Sequence, residues 1–157
     1  SLFGLGVASL TGLLLASRWI ADLMAPVLGA ISDTIGRRQA GLVSFAVGAL
    51  ALGAAVLSPS LWVLIASVLV FYLCATGVSV VLQAEAGAGG SRVVASYVTA
   101  SDLGSALGPN IGWLILQAGL ASDTVFAVGA AVYGIAGVVA WRVLRGAGTM
   151  LKADQPR

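Results

Sequence analysis

Three charged side chains stand inside apolar stretches where charge is costly. Arg18 and Asp22 lie four residues apart in the first stretch, and Asp102 lies in SYVTASDLGSALGPNIGW, residues 96–113. A cation and a carboxylate at that spacing share a helix face, so they can pair, bind a charged solute or relay a proton. Asp102 has no counter-ion on its own helix, which makes proton coupling or substrate binding its expected work. Pairing with Arg18, or with an arginine outside this sequence, is the competing expectation. A third cluster, GAISDTIGRRQ (residues 29–39), sets Asp33, Arg37 and Arg38 between two apolar stretches. Other chemistries have little to work with. There is no histidine for a metal site or a proton-shuttling triad. Cys74 is the single cysteine, so no internal disulfide exists and core filling is its expected role. The glycine-rich residues 87–90 are not followed by the Lys-Ser/Thr of a phosphate-binding loop and read as a flexible joint.

Composition shows what must position these groups. Only 9% of the 157 residues are charged and 59% are hydrophobic, with a mean hydropathy of +1.04. Soluble domains carry about a quarter charged residues, and ~20 apolar residues suffice to cross a bilayer as a helix. Residues 40–84 contain no charge, split by Ser58-Pro59-Ser60, and residues 124–141 are uncharged too. The segments do not alternate in polarity, which excludes a transmembrane β-barrel. The expected fold is an all-α integral membrane protein of five transmembrane helices, over about 2–32, 40–57, 61–84, 92–119 and 124–144. Residues 146–157 form a polar C-terminal tail. The lipid bilayer is the expected partner, and nothing calls for nucleic acid or a cofactor.

The joints between these helices are SDTIGRRQ, SPS, EAGAGGS and LASD. With five alternating crossings, Arg37, Arg38, Arg92, Arg142, Arg145, Lys152 and Arg157 all fall on one side, and SPS and LASD carry no basic residue. Basic loops mark the cytoplasmic side. The C-terminus is therefore expected inside and the start of the chain outside.

Counting inward from Asp33, Asp22 is ~16 Å and Arg18 ~22 Å deep, and Asp102 is ~15 Å inside its helix, at 1.5 Å per residue. Helical spacing gives three polar stripes. Thr11, Arg18, Asp22, Ala25 and Gly29 share one face; Tyr72, Thr76, Ser79 and Gln83 share another. Thr99, Asp102, Ala106, Asn110, Trp113 and Gln117 form the third. Tyr72, Thr76, Thr99, Asn110, Trp113 and Gln117 are candidates for lining a polar path, against the simpler role of interhelical packing. The second and fifth helices carry little beyond Ser44 and Tyr133 and are expected to face lipid all round. Gly104, Gly108 and Gly112 make a smooth strip opposite Asp102, and Pro109 removes a helix hydrogen bond, so packing or pivoting is expected there.

The segment GAISDTIGRRQ resembles the loop signature of the major facilitator superfamily, Gly-x-Leu-x-Asp-Arg-x-Gly-Arg-Arg/Lys. Gly29, Asp33, Gly36, Arg37 and Arg38 match, Ile31 replaces leucine, and Thr34 stands where a basic residue is usual. DLGSALGPNIGW is similar to a glycine-proline element of drug and proton antiporters. The resemblance implies a secondary active transporter that moves a small-molecule substrate by alternating access, as proton-coupled efflux in a bacterial inner membrane. It implies a partial major facilitator fold, helices eight to twelve of twelve or else two to six, with the missing half of the transporter as partner. It also implies that Gly29, Asp33, Gly36, Arg37 and Arg38 form a cytoplasmic gate; a topology signal is the plainer alternative. A non-transporting membrane subunit, a receptor or an intramembrane enzyme would fit the same hydropathy.

Overall fold

The structure, a computed structural model, describes residues 6–58 and 60–153. Six helices run in order: α1 Val7–Leu23, α2 Ala25–Ile35, α3 Arg37–Leu57, α4 Leu61–Ala88, α5 Ser91–Gln117 and α6 Ser122–Ala153. The first expected helix is thus two, bent by 49° at Met24. Pro26, in the first turn of α2, has no N–H for the carbonyl one turn back, and its ring crowds that carbonyl. The Met24 N–H instead bonds the Ala21 carbonyl at 3.0 Å, closing α1 with a tight turn.

Three other boundaries carry a glycine. Gly36 (φ +93) turns α2 into α3, Gly90 (φ +86) opens α5, and Gly119 (φ +75) follows α5. These are left-handed conformations that side chains with a Cβ disfavour. α3 starts at Arg37 rather than at 40, and α4 runs four residues past 84, to Ala88. α6 continues to Ala153, well beyond 144, so the expected tail is largely helix. Residues 1–5 and 154–157, including the expected start at Leu2 and the tail residue Arg157, lie outside the described residues, as do the side chains of Arg145 and Lys152.

α3 and α4 make the core, and α6 packs against α3. α3 buries Gly41, Phe45, Gly48, Ala51, Leu52 and Ala55, and α4 buries Ser67, Thr76, Gly77, Val78, Val81 and Ala86. Small residues set the approach of these helices. A Cβ on Gly48 would stand 2.5 Å from the Tyr133 ring, one on Gly77 2.9 Å from Ser44 Oγ, and one on Gly137 3.0 Å from Phe45. Tyr133 completes the packing between Phe45 and Phe71, with ring centroids at 5.1 and 5.2 Å. This corrects the expectation that the second and fifth helices, α3 and α6, face lipid all round. Absence of a polar stripe there signifies a packed apolar interface. α1 and α2 lie on α4, α2 also reaches α3, and α5 lies along α4 and α6.

Three helical segments are long and apolar enough to cross a membrane: Arg37–Leu57, Leu61–Ala88 and Ser122–Arg142. Counting the bent α1–α2 pair as one span makes four. α5, with 27 residues, has the length but not the apolarity to be counted with them. Membrane association therefore rests on three or four helices rather than the expected five.

The direction of the helices segregates charge. Gly137 meets Phe45 and Gly129 meets Leu52, so α6 runs opposite to α3 and Arg142 comes to the end that holds Arg37 and Arg38. Glu85 joins them from α4, and Arg92 follows just after. At the other end a cleft of about 520 Å³ lies between the α3–α4 and α5–α6 joints, with Ser58, Ser60 and Asp123 among its lining.

Candidate functional site

Two polar clusters stand on α4 at different depths. The deeper joins α1 to α4. Arg18 Nη1 donates to Asp22 Oδ1 and to Thr76 Oγ1 at 3.0 Å. The Thr76 hydroxyl donates in turn to Asp22 Oδ1 at 2.9 Å, closing a triangle. α1 presents Arg18 and Asp22 on one face because they are one turn apart. Thr76 meets them from the buried side of α4, with 2% of its surface exposed. The Arg18 and Asp22 side chains remain 37% and 41% exposed. The triangle cancels charge within apolar helices and can hold or exchange a charged group at its open side.

The second cluster surrounds the α2–α3 turn. Asp33, at the end of α2, accepts from Arg37 Nε at 3.1 Å, and Arg37 Nη1 stands 3.9 Å from Glu85 Oε1 on α4. The positive φ of Gly36 brings the end of α2 and the start of α3 together, so Asp33 and Arg37 meet across it. Near this joint Gly29 lets α2 approach α4, where its Cβ position lies 3.6 Å from Val80. Asp33, Arg37 and Glu85 are 64%, 42% and 46% exposed. An ion pair that wet contributes about 0–1 kcal/mol, so it can break and re-form. Arg38 is exposed beside it. Thr76 and Glu85 are nine residues apart, which sets the clusters ~14 Å apart along α4.

The third stripe does not join either cluster. All of α5 except Tyr97, Gly112 and Ile115 is exposed. Asp102 makes no ion pair or hydrogen bond with any described residue. Asp102 and Arg18 do not pair in this structure, where Arg18 Nη1 bonds Asp22 and Thr76. Thr99 Oγ1 donates to the Ala95 carbonyl at 3.0 Å, and Asn110 Nδ2 to the Ala106 carbonyl at 2.6 Å, both within α5. Trp113 is 62% exposed, and Gln117 is exposed. Tyr72 is half-buried against Phe71, with centroids at 6.2 Å. Of the expected cavity-lining residues, only Thr76 is brought to the Arg18–Asp22 pair.

The glycine strip also differs from a close-packed seam. Gly104, Gly108 and Gly112 border an apolar groove of about 410 Å³ between α5 and α6, shared with Phe71, Val128 and Tyr133. Among the described residues, no atom beyond the adjoining backbone of α5 lies within 4 Å of a Cβ placed on Gly104 or Gly108, and one on Gly112 would meet Val125 at 3.7 Å. α5 runs unbroken through Pro109. Tight glycine packing is instead at Gly48, Gly77 and Gly137, positions without a regular spacing to mark them.

Glu85 is the participant that sequence reasoning passed over. Its signal was available: an acid in the EAGAGGS joint, on the same side as Arg37. The Tyr133 hydroxyl is buried without a hydrogen-bond partner among the described residues, and the sequence alone gives it no role either. Among the described residues no group of three or more His, Cys, Asp or Glu side chains could hold a metal. No protein-family profile, curated protein or solved structure matches the chain.

Proposed function

We propose that this chain is part of a secondary active transporter of the major facilitator type, moving a small solute by alternating access with proton-coupled efflux. The observation that carries the reading is the contact set of Arg37, held by Asp33 across the Gly36 turn and facing Glu85 on α4. It ties the α2–α3 joint to α4 by weak, wet ionic contacts at one end of the helices, as a reversible gate requires. The deeper Arg18–Asp22–Thr76 triangle supplies a charged point within the helices that such a gate would open or close. Asp102, exposed on α5, is the coupling carboxyl in this reading, facing a polar path completed by the rest of the transporter. The basic end of the bundle is the cytoplasmic end, with α5 as the fourth of five crossings. The chain corresponds to helices eight to twelve.

The test is uptake or efflux of labelled compounds in inverted vesicles containing the full-length protein, with and without a pH gradient. Gradient-dependent movement of a solute supports the reading. A receptor or subunit would move nothing, and an intramembrane enzyme would form product in detergent with no gradient at all.

A further inference from the structure

The Arg18–Asp22–Thr76 triangle uses its polar atoms unevenly. Both Arg18 contacts go through Nη1, and both contacts to Asp22 end on Oδ1. Arg18 Nε and Nη2, and Asp22 Oδ2, make no hydrogen bond with any described residue. Nε–H and Nη2–H lie on one edge of the planar guanidinium, as two parallel donors spaced for the two oxygens of a carboxylate. Thr76, almost fully buried, holds Nη1 from behind, and the Arg18 side chain as a whole remains 37% exposed. Asp22, 41% exposed, offers one free carboxylate oxygen one helical turn away.

Charge balance then selects the ligand. Arg18 and Asp22 together are neutral. A solute of one sign would leave an uncompensated charge inside apolar helices, which is costly. A solute carrying both signs leaves the sum at zero and satisfies both free groups. We infer that the Arg18–Asp22 pair anchors a small zwitterionic solute, its carboxylate on the Nε–Nη2 edge of Arg18 and its ammonium on Oδ2 of Asp22. The class is that of α-amino acids and similar amino-carboxylates. This deepens the transporter reading and rests on it for the role of the site, though binding itself does not need transport.

The experiment is calorimetric titration of the full-length protein in detergent, with no gradient. The probes are L-alanine and L-phenylalanine, each beside its 2-hydroxy acid, which lacks the ammonium, and its amide, which lacks the carboxylate. At least one amino acid is expected to bind about tenfold or more tightly than both of its analogues, the loss of one charge-assisted contact. Arg18→Lys, which keeps the charge but loses the fork, is expected to weaken that amino acid about tenfold. If Arg18→Lys does not fold, the analogue comparison on the unaltered protein still decides. Equal binding of amino acid and hydroxy acid overturns the zwitterion assignment, and so does absence of binding by both amino acids. Absence of binding together with gradient-driven transport of some other solute removes this inference and leaves the transporter reading intact. Binding without any transport does the reverse.

Discussion

At the residue scale, Thr76 is where an ordinary side chain does the most. Its hydroxyl accepts from Arg18 and donates to Asp22, so one group joins α1 to α4 and satisfies two charges at once. Thr76→Val keeps the shape and deletes both bonds. It should destabilise the full-length protein by about 1–3 kcal/mol, read as a lowered thermal midpoint in detergent, while Thr76→Ser should stay close to the original. Equal midpoints for valine and serine would show that the triangle is incidental. Asp102 is a different kind of residue, exposed and without a partner among the described residues. Asp102→Asn should abolish accumulation driven by a pH gradient and leave passive solute exchange largely intact, both normalised to protein in the membrane. Lowered folded protein with normal specific activity would remove the coupling role.

At the element scale, closeness of approach separates the glycines. Gly48 sits under the Tyr133 ring and beside Cys74, with 2.5 and 3.3 Å left for a Cβ. Gly48→Ala should cost about 1–3 kcal/mol by overpacking. Gly104→Ala, with open space around it, should leave the thermal midpoint nearly unchanged. The reverse order would mean that α5, not α3, forms the tight seam. The same contrast explains what was legible in the sequence. Helix existence, the uncharged spans and the Arg18–Asp22 pairing followed from hydropathy and a spacing of four, because these are local. The break at Met24 was within reach, since Pro26 marks it, but the uninterrupted apolar run masked it. Which helices pack against which was not local. A polar stripe does not say which helix it meets: α1 and α4 join theirs at Thr76, α5 leaves its stripe exposed, and the stripeless α3 forms the centre. Glu85 was passed over because its partner Arg37 is 48 residues away in sequence.

At the scale of the whole molecule, basic charge gathers at one end of a bundle with three or four helices apolar enough to cross a membrane, and α5 is its least covered element. An exposed α5 stripe with an unpaired carboxyl is incompatible with lipid on that side. The rest of the proposed transporter must cover it. Hence the 157-residue chain alone should not transport, and co-expression with the missing half should restore activity. Robust transport by the chain alone would contradict the twelve-helix reading. The central claim is that the Asp33–Arg37–Glu85 contacts hold a gate shut and release it during the cycle. It is tested most directly by the turnover of full-length protein in proteoliposomes, comparing the unaltered protein with Asp33→Asn and Glu85→Gln at matched insertion. The account predicts normal insertion and a several-fold slower exchange of inward and outward states in both variants. Unchanged turnover in both would reduce the cluster to a signal of membrane orientation and contradict the account.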